Sequence, residues 1–117
     1  MDNTNSHSDS RGTIKDLLVT DDYSVTLVTF NEGAIRGNHY HEQTEQMDIV
    51  LKGKLICAKD GEQVEITKGD HSNVPANVRH AYKAIEPSEL LSICWGVRKG
   101  EDYEKDVIRL PDNEKLL

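Results

Sequence analysis

From Thr13 onward the chain is cut into runs of four to nine residues in which β-branched, aliphatic and aromatic side chains recur at alternate positions. The runs are YSVTLVTF (23–30), MDIVLKG (47–53), KLICA (54–58), QVEIT (63–67), NVRHAYKAI (77–85) and LLSICWGV (90–97). Turn residues separate them, in NEGAIRGN, KG, KDGE, KGD, PAN and EPSE. A period of two belongs to a strand with two different faces. No 3.6-residue pattern survives for ten residues, except weakly near the C-terminus. Asp60-Gly61 predicts a two-residue hairpin between KLICA and QVEIT. Short strands spaced by about eight to twelve residues, with glycine turns, fold as an antiparallel sandwich or a small barrel. In the last run Leu91, Ile93, Trp95 and Val97 share one face, and Leu90 and Cys94 share the other. Such a strand is expected to be covered on both sides, by a second sheet or by a partner subunit.

A chain of 117 residues predicts one domain. Its boundaries are expected at residues 13–117, with residues 1–12 a disordered tail. MDNTNSHSDSR holds only Met1 as an apolar side chain, too little to offset the entropy of ordering. The net charge is −7 with no basic block. That argues against nucleic acid and against an anionic membrane surface, both of which need clustered Lys and Arg. No apolar run approaches 18 residues, the length that spans a bilayer as a helix. The polar, acidic start is the opposite of a signal peptide, and the expected location is cytoplasmic. Cys57 and Cys94 sit inside apolar runs without a CxxC, and are expected as reduced core thiols.

Four of the five histidines fall between positions 39 and 80, and the sharpest feature is His39-Tyr40-His41. On a strand, residues i and i+2 point to one face, so the two imidazoles project side by side. Facing imidazoles suit binding of a borderline transition metal or movement of protons near neutral pH. His71 opens a strand after Gly69-Asp70 and reads as a rim residue.

The stretch Gly33-x5-His39-x-His41-x4-Gln46-x6-Gly53 resembles the first motif of the cupin superfamily. Gly69-x5-Pro75-x-Asn77-x2-His80 resembles the second. The resemblance implies an all-β fold, a double-stranded β-helix or jelly-roll barrel, in which His39, His41 and His80 converge on a pocket from different strands. The family pattern has Glu where this chain has Gln46; Glu45 lies one residue off and is expected on the opposite face. Asn77 stands where the pattern has Gly, and Asn tolerates the left-handed backbone. Ile35-Arg36-Gly37-Asn38-His39-Tyr40-His41 is similar to the RG-x-H-x-H signature of RmlC-like cupins acting on nucleotide-linked sugars. Among these the ketoisomerases carry Gln at the position of Gln46 and work without a metal. Residues 102–109 are loosely similar to the tail of the same proteins.

Two chemistries stand open on this reading. In the first, a keto-sugar nucleotide is isomerised or epimerised by proton transfer, with His39 and His41 as base and relay. Arg36 would then face the diphosphate, and Tyr40 or Tyr82 would donate to a sugar oxygen. In the second, His39, His41, His80 and Gln46 bind Zn, Fe, Mn or Ni and the protein is a metal-dependent dioxygenase or lyase. A non-enzymatic module that binds a small ligand is the third reading. Single-domain cupins resemble one another in forming dimers, which implies a homodimer through residues 13–30.

Overall fold

The computed structural model describes residues 6–96 and 106–117. Eleven strands form two antiparallel sheets, with a single 3-10 turn at Asp112–Glu114 among these residues. In chain order the strands are β1 Ser6–Asp9, β2 Gly12–Val19, β3 Tyr23–Phe30, β4 Ile35–Tyr40, β5 Glu45–Lys52 and β6 Lys54–Lys59. There follow β7 Glu62–Thr67, β8 His71–Val74, β9 His80–Ala84, β10 Ser88–Trp95 and β11 Ile108–Arg109. One sheet has the order β1-β2-β3-β10-β5-β8 and the other β11-β4-β9-β6-β7. Crossovers such as β3 to β10 and β4 to β9 join distant parts of the chain in the manner of a jelly roll. Among the described residues no helix is long and apolar enough to cross a membrane.

Alternation fixes which side chains fill the barrel. On β10, Leu90 and Cys94 point inward and are buried, while Trp95 lies on the outer face and is exposed. Phe30, Val50, Leu55, Cys57, Ile66, Tyr82, Ala84 and Leu90 form the apolar core. This core fills one end. At the other end the inward positions of the six-stranded sheet are Ser24, Thr26, Asp48, Ser72 and Ser92, all buried and all polar. The barrel interior is thus divided along its axis, and the polar end is where the histidines enter. Both cysteines are buried.

The hairpin at Asp60-Gly61 has φ of 53° and 77°, the two positive values that a type I′ turn requires. Gly53, between β5 and β6, has φ of 90°, and a Cβ there would lie 2.2 Å from the Ser88 hydroxyl oxygen. No other residue type fits that corner.

The expectation of a disordered tail over residues 1–12 is corrected for its described part. Ser6–Asp9 is strand β1 and pairs with β2, from Ser6 opposite Lys15 to Asp9 opposite Gly12. The turn between them is closed by polar groups: Arg11 donates to the Asp9 carboxylate, and the Asn31 amide to the Ser10 carbonyl. Composition read the segment as unable to bury apolar surface, which holds, since β1 is exposed throughout. Its order comes from hydrogen bonds to an existing sheet edge. Residues 1–5 of the expected tail lie outside the described residues, as do residues 97–105, which include Val97 and most of the stretch compared with the ketoisomerase tail.

Candidate metal centre

Strand β4 carries His39, and His41 follows just past its end, while His80 opens β9. His39 and His80 are opposite one another in the β4–β9 ladder. The ladder shifts register between Gly37 and His39, with Asn38 at φ of 56°. This bulge re-aims the end of β4. Gly37 allows the close approach: a Cβ on it would lie 2.9 Å from the His80 carbonyl oxygen. Asn38 uses its side-chain oxygen to accept from the backbone N–H of Leu116 and Leu117, which ties the end of the chain to the back of the bulge. Asn77 has φ of 69° and its N–H donates to the His41 carbonyl, so the turn before β9 braces the end of β4.

The three rings meet with centroids 4.6 Å (His39–His80), 4.9 Å (His39–His41) and 5.3 Å (His41–His80) apart. One ring nitrogen from each lies within 4.8 Å of the others. His41 and His80 are each 1% exposed. The Nδ1–H of His80 donates to the Val78 carbonyl at 3.0 Å, and that of His41 to the Asp106 carbonyl at 3.0 Å. Holding the proton on Nδ1 leaves the Nε2 lone pair for the centre, the usual arrangement behind a metal-ligating histidine. The Nε2 of His80 and the Nδ1 of His39 are buried and have no hydrogen-bond partner among the described residues. Burial, with the neighbouring imidazoles adding, pushes the His39 pKa down to about 2. Burial brings His80 down to about 4, against the pull of the Val78 carbonyl. His41 is lowered by burial, and the Asp106 carbonyl and charge and the Gln46 side chain act in the opposite direction. At neutral pH all three rings are uncharged.

Gln46, not Glu45, lies on the inner face; Glu45 is exposed. The Gln46 Nε2 donates to both oxygens of Asp48, at 2.9 and 2.8 Å. Its Oε1 is buried, with no donor in hydrogen-bond geometry among the described residues. Three uncharged imidazoles with lone pairs turned inward, plus an amide oxygen, fit a borderline divalent ion.

The other sequence-nominated residues lie elsewhere. Tyr40 points away from His39 and His41 by alternation, and its ring carries the Arg79 guanidinium 5.1 Å from its centroid. Arg36 is buried at the apolar end, 5.4 Å from the Phe30 ring centroid, and donates to the Thr29 carbonyl. Tyr82 is inside the barrel, but its hydroxyl donates to Asp48. His71 lies on the exposed face of β8, as read.

Two residues that shape the site were missed. Asp48 is fully buried beneath Gln46. Burial pushes its pKa up, and hydrogen bonds from Tyr82, Ser92 and Gln46 oppose that rise. The signal was present: an Asp in the run MDIVL, two residues from Gln46 and hence on the same face. Asp106 closes the loop after His41. Its carboxylate accepts from the N–H of Glu42 and Gln43 and from the Thr44 hydroxyl, while its carbonyl seats His41. No local pattern marks it.

A closed double-stranded barrel with three histidines converging at its polar end defines the cupin class. The chain belongs to the Cupin domain family, whose profile matches residues 26–94. It is similar to quercetin 2,3-dioxygenase of Bacillus subtilis, 33% identical over 61 residues, which cover 52% of this chain and 18% of that protein. It is also similar to mannose-1-phosphate guanylyltransferase of Salmonella muenchen, 31% identical over 99 residues, 83% of this chain and 20% of that protein. The chain therefore spans about a fifth of the length of these curated relatives. Among solved structures, KdgF from Halomonas sp. superposes with a TM-score of 0.70 at 27% identity, covering 76% of this chain and 81% of that one. An RmlC-like cupin from Shewanella frigidimarina gives 0.75 at 21% identity, covering 85% and 89%. A variant of Bacillus subtilis oxalate decarboxylase gives 0.78 at 20% identity, covering 92% and 30%. The last two likenesses show the fold alone.

Proposed function

We propose that the protein is a metal-dependent cupin enzyme acting on a small oxygen-rich molecule. His39, His41 and His80 would hold one divalent transition metal, and the Gln46 Oε1 would be a fourth donor. The observation that carries this reading is the set of buried ring nitrogens turned toward one another on imidazoles that are uncharged at neutral pH. When bound, the ion supplies a Lewis acid that polarises a substrate oxygen. The chain supplies only neutral donors, so the ion's charge is left largely uncompensated and an anionic or enolisable substrate is favoured. The Val78 and Asp106 carbonyls keep the rings in the ligating tautomer. The net charge of −7 speaks for a small molecule over nucleic acid or a membrane surface.

A keto-sugar, free or nucleotide-linked, is the substrate class we favour, because its carbonyl and adjacent hydroxyl offer two oxygens to one centre. One relative is named for mannose-1-phosphate and another for quercetin, both rich in hydroxyl groups. Isomerisation remains the second reading of the reaction. As the metal-free version, with His39 as the base, it is disfavoured: a base works best with a pKa near the operating pH, and burial holds His39 far below it.

Elemental analysis of protein purified without chelator or histidine tag tests the proposal, in parallel with His41→Ala. The expected result is about one transition metal per chain, lost in the variant. A folded protein that takes up neither Co2+ nor Zn2+ refutes it. Incorporation of solvent deuterium into a keto-sugar nucleotide by metal-free protein would restore the histidine-base reading. We also propose a homodimer through residues 13–30, on the strength of the exposed Leu17, Leu18, Val19 and Tyr23 on β2 and β3.

A further inference from the structure

Asp48 presents an anomaly that the metal-centre reading does not by itself explain. It is an acidic residue inside an apolar run, 1% exposed, with no cationic side chain bonded to it among the described residues. A carboxylate in such a place is costly unless hydrogen bonds satisfy it. Its partners are the amide NH2 of Gln46, which donates to both oxygens, the Tyr82 hydroxyl and the Ser92 hydroxyl. Tyr82 comes from β9 in the facing sheet and Ser92 from β10 beside β5, so the carboxylate is fixed from sides other than that of Gln46.

We propose that Asp48 is the positioning residue of the centre: it grips Gln46 by its NH2 group and so turns the amide carbonyl oxygen toward the three histidines. This rests on the metal-centre reading above. Both Asp48 oxygens accept from the Gln46 Nε2, so the amide faces the carboxyl group with its nitrogen. The planar amide then has one way to lie, with Oε1 on the side of His41. Without Asp48 the amide could turn and offer NH2, which has no lone pair to give an ion. The period of two explains the spacing. Positions 46 and 48 share the inner face of β5, and the carboxylate lies one step deeper in the barrel than the amide. Donating its NH2 protons to the Asp48 oxygens increases the electron density on the Gln46 oxygen. Such partners behind a ligand typically control metal affinity by 10–100-fold.

The test is Asp48→Asn, which keeps the shape but lets position 48 donate as well as accept. Purified wild type and variant are titrated with Co2+, read by calorimetry and by the visible ligand-field spectrum, with circular dichroism melts to confirm folding. The wild type is expected to bind one Co2+ per chain. Asp48→Asn is expected to bind about 10–100-fold more weakly, with altered bands. The double variant Gln46→Glu/Asp48→Asn, which moves the carboxylate to position 46, is expected to recover most of the lost affinity. A residue that merely supports the fold would not be rescued in this way. Should Asp48→Asn fail to fold, the side-chain amide of Gln46 decides the matter in 15N-labelled wild type loaded with Zn2+. Its two protons are expected to persist and to exchange slowly. Free exchange overturns the proposal, as does an Asp48→Asn protein that binds Co2+ with wild-type affinity and spectrum. In that last case the metal centre stands and only the role of Asp48 falls. A folded wild type that binds no Co2+ removes both.

Discussion

Asp106 is the residue whose removal should be felt most widely. Its carboxylate gathers the Glu42 N–H at 3.0 Å, the Gln43 N–H at 3.0 Å and the Thr44 hydroxyl at 2.7 Å, all from the loop that follows His41. Thr44 has no exposed surface, so in Asp106→Ala its hydroxyl loses a partner that water cannot replace. An unsatisfied buried hydroxyl costs about 1–3 kcal/mol. The two N–H groups are partly buried and recover some hydration, at roughly 1 kcal/mol each. The expected destabilisation is about 3–5 kcal/mol, which lowers the melting temperature of a domain this size by roughly 10–20 °C. Asp106→Asn keeps one acceptor oxygen and should lose about half as much. Urea denaturation of metal-free protein at pH 7 measures both, with the slope m unchanged if the denatured state is unchanged. Thr44→Val should be costly in the wild type and nearly neutral on the Asp106→Ala background, since the bond is already gone. The Co2+ affinity should fall as well, because the carbonyl of residue 106 seats His41. A loss below about 1 kcal/mol for Asp106→Ala would show that the loop holds itself, and the argument would be wrong.

Further outcomes follow from the same geometry. The metal-free protein should lose stability on acidification from pH 7 toward pH 4. The unfolded histidines bind protons near pH 6.5 while folded His80 does so only near 4, so the unfolded state binds more protons in that window and stability rises with pH. Each such histidine adds a slope of up to about 1.4 kcal/mol per pH unit, and a denaturation midpoint flat from pH 7 to 5 would refute the assignment. Asp106 adds a loss at lower pH, since its folded pKa lies below the ordinary value: burial raises it, but the bonds from Thr44, Gln43 and Glu42 outweigh that. Gly53→Ala should cost several kcal/mol or prevent folding, because its Cβ would meet the Ser88 hydroxyl and the Pro87 carbonyl in a backbone region that L-residues rarely adopt. Light scattering should report a dimer, and a monomer at tens of micromolar would end the proposal for residues 13–30.

The parts of the molecule that were legible in the sequence are those where a local pattern has one physical solution. Alternation in YSVTLVTF or LLSICW leaves a strand as the only way to bury one face. His39-Tyr40-His41 on such a strand must send its imidazoles one way and its tyrosine the other. The same rule already placed Tyr40 outside, yet the residue was nominated for substrate because tyrosine is a common donor. Arg36 was nominated to face a diphosphate, and the structure seats it against Phe30 at the apolar end. Period two from His39 puts it on the outer face, but the bulge at Asn38 changes the phase and turns it inward onto Phe30. A bulge leaves little trace in composition. Asp48 was legible in position but not in role, because a buried acid can be judged only once its donors from β9 and β10 are known. Asp106 was not legible at all: its partners sit more than sixty residues earlier.

That separation has a consequence for how the protein comes into being. The seat of His41 joins residues 65 apart in the chain, and the clasp of Asn38 on Leu117 joins residues 79 apart. Tyr23 pairs with Trp95 and Phe30 with Ser88, so the wide sheet cannot close until its last strand arrives. Such a topology folds slowly, because loop entropy is lost before long-range contacts compensate. The histidine cluster is then among the last features to assemble, and an ion has no organised site to meet in the early chain. Metal added during refolding should leave the folding rate nearly unchanged and act on the unfolding limb, lengthening the life of the finished barrel.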